Sequence, residues 1–208
     1  MSSSGGLRAK KRAATQTAIE NAAIALVLEH GYEQVTVEII CDASMVSQRT
    51  FFNYFGSKEG VILGASAPKL SDTELARFIA APTPDVLGDL VSIMALALSE
   101  HELDRTLMRG RLDVISRTPE LFARQMARMT EHEERLTHLV LQRFRAQGRD
   151  AAASDVHDEA RMVVVLAGAV MRYSMQRRLN GHSAMSAEDE FTHSIDLIHR
   201  IASPPTER

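Results

Sequence analysis

The chain of 208 residues has no tryptophan, three tyrosines and a single cysteine, Cys41. One cysteine excludes an internal disulfide and fits the reducing cytoplasm, where the protein is expected to reside. Long apolar runs are also missing. "AAIALVL" lies between Glu20 and Glu29, and "VVVLAGAVM" ends at Met171; both fall far short of the roughly 20 residues that cross a bilayer. A soluble protein with no membrane partner is expected. There is no excess of either charge: the net value is −3 and the pI about 6.2. Nucleic-acid binding must therefore come from local charge, not from a whole-molecule basic field. Phosphate-cradling glycine loops and the Gly-x-Ser-x-Gly turn are absent as well, which removes two common routes to an enzyme. No cofactor is expected.

What remains is helical periodicity. Ile19, Ala22, Ala23, Leu26 and Val27 recur at the spacing of one buried helix face, and Gly31 stops that helix. Thr36 and Ser47 can each cap a short helix, and Ser57 a longer one ending near Pro68. "SDTE" at 71–74 is a capping box for a helix to about residue 81. Thr83-Pro84 and Thr118-Pro119 place proline at a first helical position, opening helices of about 84–100 and 119–147. Further helices are expected near 103–116, 156–179 and 187–202. Strand-like alternation is absent, so the fold class is all-α. The ends "SSSGG" and "SPPTER" are expected to be mobile.

Aromatics are few, yet four of the ten Phe and Tyr residues fall within "FFNYF" at 51–55. Two short helices with a tight break at 44–46, preceded by a longer helix, make a helix-turn-helix arrangement. On the second short helix Phe51 and Phe55 can face the core with Val46, leaving Gln48, Arg49, Phe52 and Asn53 outward. Gln and Arg suit base edges. The hydroxyls of Ser47, Thr50 and Tyr54 and the Lys58 amine suit phosphates. Arg8, Lys10, Lys11 and Arg12 form a basic arm with no acidic residue before Glu20.

"GYEQVTVEIICDASMVSQRTFFNYFGSKEGVI" resembles the DNA-binding signature of TetR-type transcriptional regulators. The likeness covers about residues 15–63. It implies an N-terminal three-helix DNA-binding domain at 8–60 and a larger helical ligand-binding and dimerisation domain at 61–203. By this similarity Thr36, Ser47, Thr50, Tyr54 and Lys58 would hold phosphates, while Gln48, Arg49 and Asn53 would lie nearest the bases. The family usually has Gly where this chain has Met45, so a left-handed, strained turn is expected there, with an unstrained turn as the alternative. Many relatives place Tyr where this chain has Phe52, which gives only apolar contact.

The function implied is a transcriptional regulator, a repressor, that binds a palindromic operator on double-stranded DNA as a homodimer and is released by a small-molecule effector. Val164, Met171, Phe191, Ile195, Ile198 and Ala202 are candidates for a four-helix subunit interface; filling one subunit's core is their other use. Arg111 and Arg172 sit among apolar positions, where a guanidinium needs an acceptor. An internal carboxylate would serve, as would an acidic effector in a cavity lined by Met94, Met108, Met126, Met129 and Met175. Two other classes compete: a helical-bundle enzyme using metal, or a scaffold that no longer reads DNA. "HEERLTH" and "EFTH" lack the complete spacing of a zinc or di-iron site, so no metal is expected, and Cys41 lies on an apolar helix face as a core thiol.

Overall fold

The computed structural model describes residues 3–64, 70–99, 104–181, 185 and 187–202, and every regular element among them is a helix. They are α1 (Ser3–His30), α2 (Val37–Ser44), α3 (Gln48–Phe55), α4 (Lys58–Leu63) and α5 (Asp72–Ala80), then α6 (Val86–Ser99), α7 (Arg105–Arg117), α8 (Pro119–Ala146), α9 (Ser154–Leu179) and α10 (Ala187–Ala202). None of them is long and apolar enough to cross a membrane. The chain divides into two compact units.

The first unit takes residues 1–66 and 103–128. Its core gathers Ile19, Ala23 and Val27 of α1, Ile40 and Cys41 of α2, Phe51 of α3 and Val61 and Ile62 of α4. Val114 of α7 and Leu121 of α8 complete it. Local signals in the sequence place these helices. The hydroxyls of Thr36, Ser47 and Ser57 accept from the backbone N–H groups of Ile39, Thr50 and Gly60, satisfying donors that a helix start leaves open. The expected domain of 8–60 lacked the second segment, because α7 is tied in by residues far along the chain. Arg111 donates to Glu20 at 3.0 Å, and both side chains are 11% exposed. The internal carboxylate of Glu20 is thus an acceptor for it.

Two helices differ from their expected limits. Helix α1 starts at Ser3, so residues 3–6 of "SSSGG" lie in the helix instead of hanging free; "SPPTER" at 203–208 lies outside the described residues. Helix α4 stops at Gly64, well before Pro68. Gly64 sits at φ +75, and a Cβ there would come within 2.6 Å of the Arg111 guanidinium. Only glycine meets both demands.

The second unit holds 67–102 and 129–208. Its core is built from Phe78, Leu90 and Val91, then Val140, Leu141 and Phe144 of α8, Ala160, Val164 and Val170 of α9, and Phe191 of α10. Asp85, not Thr83, caps α6, since its carboxylate accepts from Gly88 N–H at 2.9 Å. Thr83 is used otherwise. The fully buried Arg143 donates to the Thr83 carbonyl at 2.8 Å and to Asp89 Oδ2 at 2.6 Å. Glu190, the carboxylate of "EFTH", is also fully buried and paired with Arg177 at 2.6 Å. It is a structural charge.

Val164 and Phe191 are 2% and 5% exposed within one chain, so they fill its core and cannot face a second subunit. Met171, Ile195 and Ile198 are half-buried against that core, and Ala202 is exposed. The residues α9 leaves in the open are instead Met162, Val165 and Tyr173, at 58%, 52% and 42%.

The residues expected to line a Met-rich cavity are shared between the two units. Met108, Arg111 and Met126 belong to the first unit, and Met94, Met129, Arg172 and Met175 to the second. Arg172 is exposed, so water satisfies it without an anion.

Candidate nucleic-acid interface

Helix α3 is fixed from one side. Phe51 is fully buried, with Phe55 and Val46 packed against the same core. Phe51 meets Phe52 edge to face at 5.6 Å and Phe55 at 5.8 Å. The opposite side carries Gln48, Arg49, Phe52 and Asn53, all exposed. Positions i, i+1, i+4 and i+5 thus form one outward strip, as the 3.6-residue period requires.

The capping residues keep a proton to offer. Thr36 accepts at its oxygen from Ile39 N–H at 3.3 Å, which leaves its O–H free to donate. Ser47 and Thr50 share a 2.8 Å hydroxyl contact, so one of the two protons stays available. The start of α3 therefore presents hydroxyl and backbone donors together, a ready arrangement for a phosphate oxygen. Gln48 is partly committed, since its amide donates to Glu38 Oε1 of α2 at 3.3 Å. Arg49 is exposed beside it.

Lys58 was expected on a phosphate, yet its ammonium turns inward. It donates to the Tyr32 carbonyl at 2.9 Å and stands 4.0 Å from the centre of the Tyr32 ring. Burial, then Glu59 and Glu120, push the Tyr32 phenol up to about 12, so this ring is neutral at physiological pH. Lys58 holds α4 to the segment after α1, and only its remaining N–H groups face elsewhere.

Tyr54 is half-buried at the edge of the strip, with the Arg12 guanidinium 5.6 Å from its ring centre. Arg8, Lys11, Arg12 and Thr15 of α1 face Asn53 and Tyr54 across an open cleft. The sequence shows a basic arm but not this pairing, because nothing in it says that α1 runs back to Ser3.

The turn between α2 and α3 is left-handed at Met45, φ 53 and ψ 42, the one such non-glycine among the described residues. Met45 N–H bonds to the Asp42 carbonyl and Val46 N–H to that of Cys41, which closes α2 in a Schellman motif. The expected strain is present.

A three-helix unit with a capped, outward-facing second short helix is a helix-turn-helix domain of the DNA-binding type. Comparison with known proteins narrows this. Residues 19–65 match the family model for bacterial regulatory proteins of the tetR family. The HTH-type transcriptional regulator TcmR of Streptomyces glaucescens is 32% identical over 146 residues, 66% of this chain and 64% of that protein. The match therefore spans somewhat under two thirds of that relative's length. Among solved structures, NalD, the secondary repressor of the MexAB-OprM multidrug efflux pump in Pseudomonas aeruginosa, has a TM-score of 0.54 at 18% identity, covering 92% of this chain and 96% of its own. A SmeT–triclosan complex, SmeT being the repressor of a Stenotrophomonas maltophilia efflux pump, gives 0.50 at 20%, covering 93% and 96%. These matches tie residues 19–65 to the tetR family of bacterial regulatory proteins. The matched family model and relative are both regulators, which favours that reading over the helical-bundle enzyme.

Proposed function

We propose that this protein is a dimeric transcriptional repressor that binds a palindromic operator through α3 and leaves it when a small molecule occupies the second unit. The observation carrying this reading is the outward strip of α3. Arg49 is exposed, and Gln48, Phe52 and Asn53 stand beside it on a helix whose other face is locked by Phe51. An Arg can hold guanine O6 and N7 together, Asn or Gln can hold adenine, and the Phe52 ring can meet a thymine methyl. Thr36, Ser47, Thr50 and Tyr54 would fix the strip's register on the backbone, with Lys58 serving mainly to hold α4.

Dimerisation follows from the apolar residues α9 leaves uncovered. Met162, Val165 and Tyr173 repeat every three to eight residues along one side. Two copies would bury these sides against each other and bring two α3 helices to half-sites about 34–36 Å apart. Small-molecule release is supported by the SmeT neighbour, whose complex contains triclosan. A ligand that prefers the form with misplaced α3 helices weakens DNA binding by its difference in affinity between the two forms. With Arg111 paired and Arg172 in water, the effector need not be an acid.

Selection of bound fragments from genomic DNA tests the proposal. A short recurring palindrome, protected as two half-sites by a dimer, is the expected result. Recovery of fragments with no shared sequence would refute base-specific recognition.

A further inference from the structure

The basic arm is not used by the recognition strip, and its placement gives it a task. We propose that the cleft between the start of α1 and the recognition helix is a clamp for the DNA sugar–phosphate backbone beside the major groove that α3 enters. The proposal rests on the DNA-binding reading above and adds a second contact line to it.

Arg8, Lys11, Arg12 and Thr15 follow the i, i+3, i+4, i+7 spacing, so α1 presents them on one side. That side forms one wall of a cleft of about 450 Å³, and Asn53 and Tyr54 of α3 form the other. The cleft is open to solvent and continuous with the exposed strip through Asn53. No acidic residue precedes Glu20 in the chain, and Glu20 is held by Arg111. Arg12 rests on the Tyr54 ring, which fixes the arm to the helix that reads the bases. Thr15 is a wall and not a donor, since its hydroxyl proton goes to the Lys11 carbonyl at 2.9 Å. Arg8 to Arg12 covers about 6 Å of helix. Successive phosphates advance about 3.4 Å along one strand, so the arm matches roughly two of them.

Lys10 supplies the control. It lies about 200° around α1 from Arg8 and is exposed away from the cleft. A diffuse positive field would count Lys10 equally with Lys11; a clamp would not.

The test measures binding of the full chain to a selected genomic fragment and to a mixed-sequence duplex of equal length, across a salt series. The Arg8→Ala/Lys11→Ala variant should bind both duplexes more weakly. Its plot of log K against log salt should be shallower by about 1.8 for each bound subunit, at about 0.9 per phosphate. Between 50 and 200 mM salt the wild type would then lose about tenfold more affinity per subunit than the variant. Lys10→Ala should keep the wild-type slope, as should the charge-preserving Arg8→Lys/Lys11→Arg. An unchanged slope for Arg8→Ala/Lys11→Ala overturns the clamp, and so does an equal flattening by Lys10→Ala. Either result leaves base recognition standing if Arg49→Ala still weakens the preference for the selected fragment. Should the wild type show no salt-sensitive binding to either duplex, the clamp and the DNA-binding reading fall together.

Discussion

Replacing Met45 by glycine should stabilise the protein, an unusual expectation for the loss of a large apolar side chain. Met45 holds φ 53 and ψ 42, where its Cβ crowds the backbone at a cost of about 1–2 kcal/mol. Side-chain packing does not offset that cost, because Met45 is 92% exposed. Glycine removes the crowding but loses about 0.5–1 kcal/mol more chain entropy on folding. The balance is a gain of roughly 0.5–1 kcal/mol. For a protein of this size that raises the melting midpoint by about 1–4 °C. Thermal unfolding followed by circular dichroism reads the change, with Met45→Ala as companion. Alanine keeps the Cβ and gives up only exposed atoms, so its midpoint should stay within about 0.5 kcal/mol of wild type. A Met45→Gly midpoint below wild type would refute the reasoning, as would Met45→Ala losing as much as a buried residue. DNA affinity should be unchanged in both, since the Schellman hydrogen bonds come from the backbone.

Val165→Asp, on the uncovered side of α9, should give a folded monomer with weak DNA binding, whereas Val164→Asp should unfold the second unit. Light scattering with circular dichroism separates the two, and an intact Val165→Asp dimer would move the interface elsewhere. Arg111→Ala strands Glu20 as an uncompensated buried charge and should cost about 3–5 kcal/mol. The double change Glu20→Leu/Arg111→Leu should cost less than that single change; a larger loss in the double would show that packing, not charge, is at stake. Cys41 is 4% exposed, and burial, then Asp42 and Glu38, raise its thiol above the usual range. It should resist alkylation in the native protein and react on denaturation, so fast labelling of the folded chain would contradict the α2 packing.

The helices were legible wherever short-range chemistry decides them. The capping box of Ser71 and Glu74 and the proline start of α8 appear where the residues place them. So does the inward pairing of Phe51 with Phe55, because helical periodicity alone sorts that face from the other. What escaped was decided by partners distant in sequence. Arg143 follows the apolar period of Leu136, Leu139 and Val140, a sign of burial, but its acceptors Thr83 and Asp89 lie some 50 to 60 residues earlier. The pairing of Glu20 with Arg111 spans 91 residues, and so the first unit's second segment went unread. Val164 and Val165 differ by one residue and about 100° of rotation, which places one in the core and the other outside. Their run is apolar on every side, so composition could not tell them apart. The charge of Lys58 suits a phosphate, but the Tyr32 carbonyl, 26 residues earlier, draws it inward.

The central claim is that α3 reads base edges, and Arg49 tests it most directly. Binding of wild type and Arg49→Ala should be measured on a selected operator and on its single-base-pair variants at fixed salt. The account predicts a loss of about 1–3 kcal/mol per half-site and a relaxed preference at particular base pairs, with preferences elsewhere kept. An Arg49→Ala protein that still ranks every operator variant as the wild type does would contradict it.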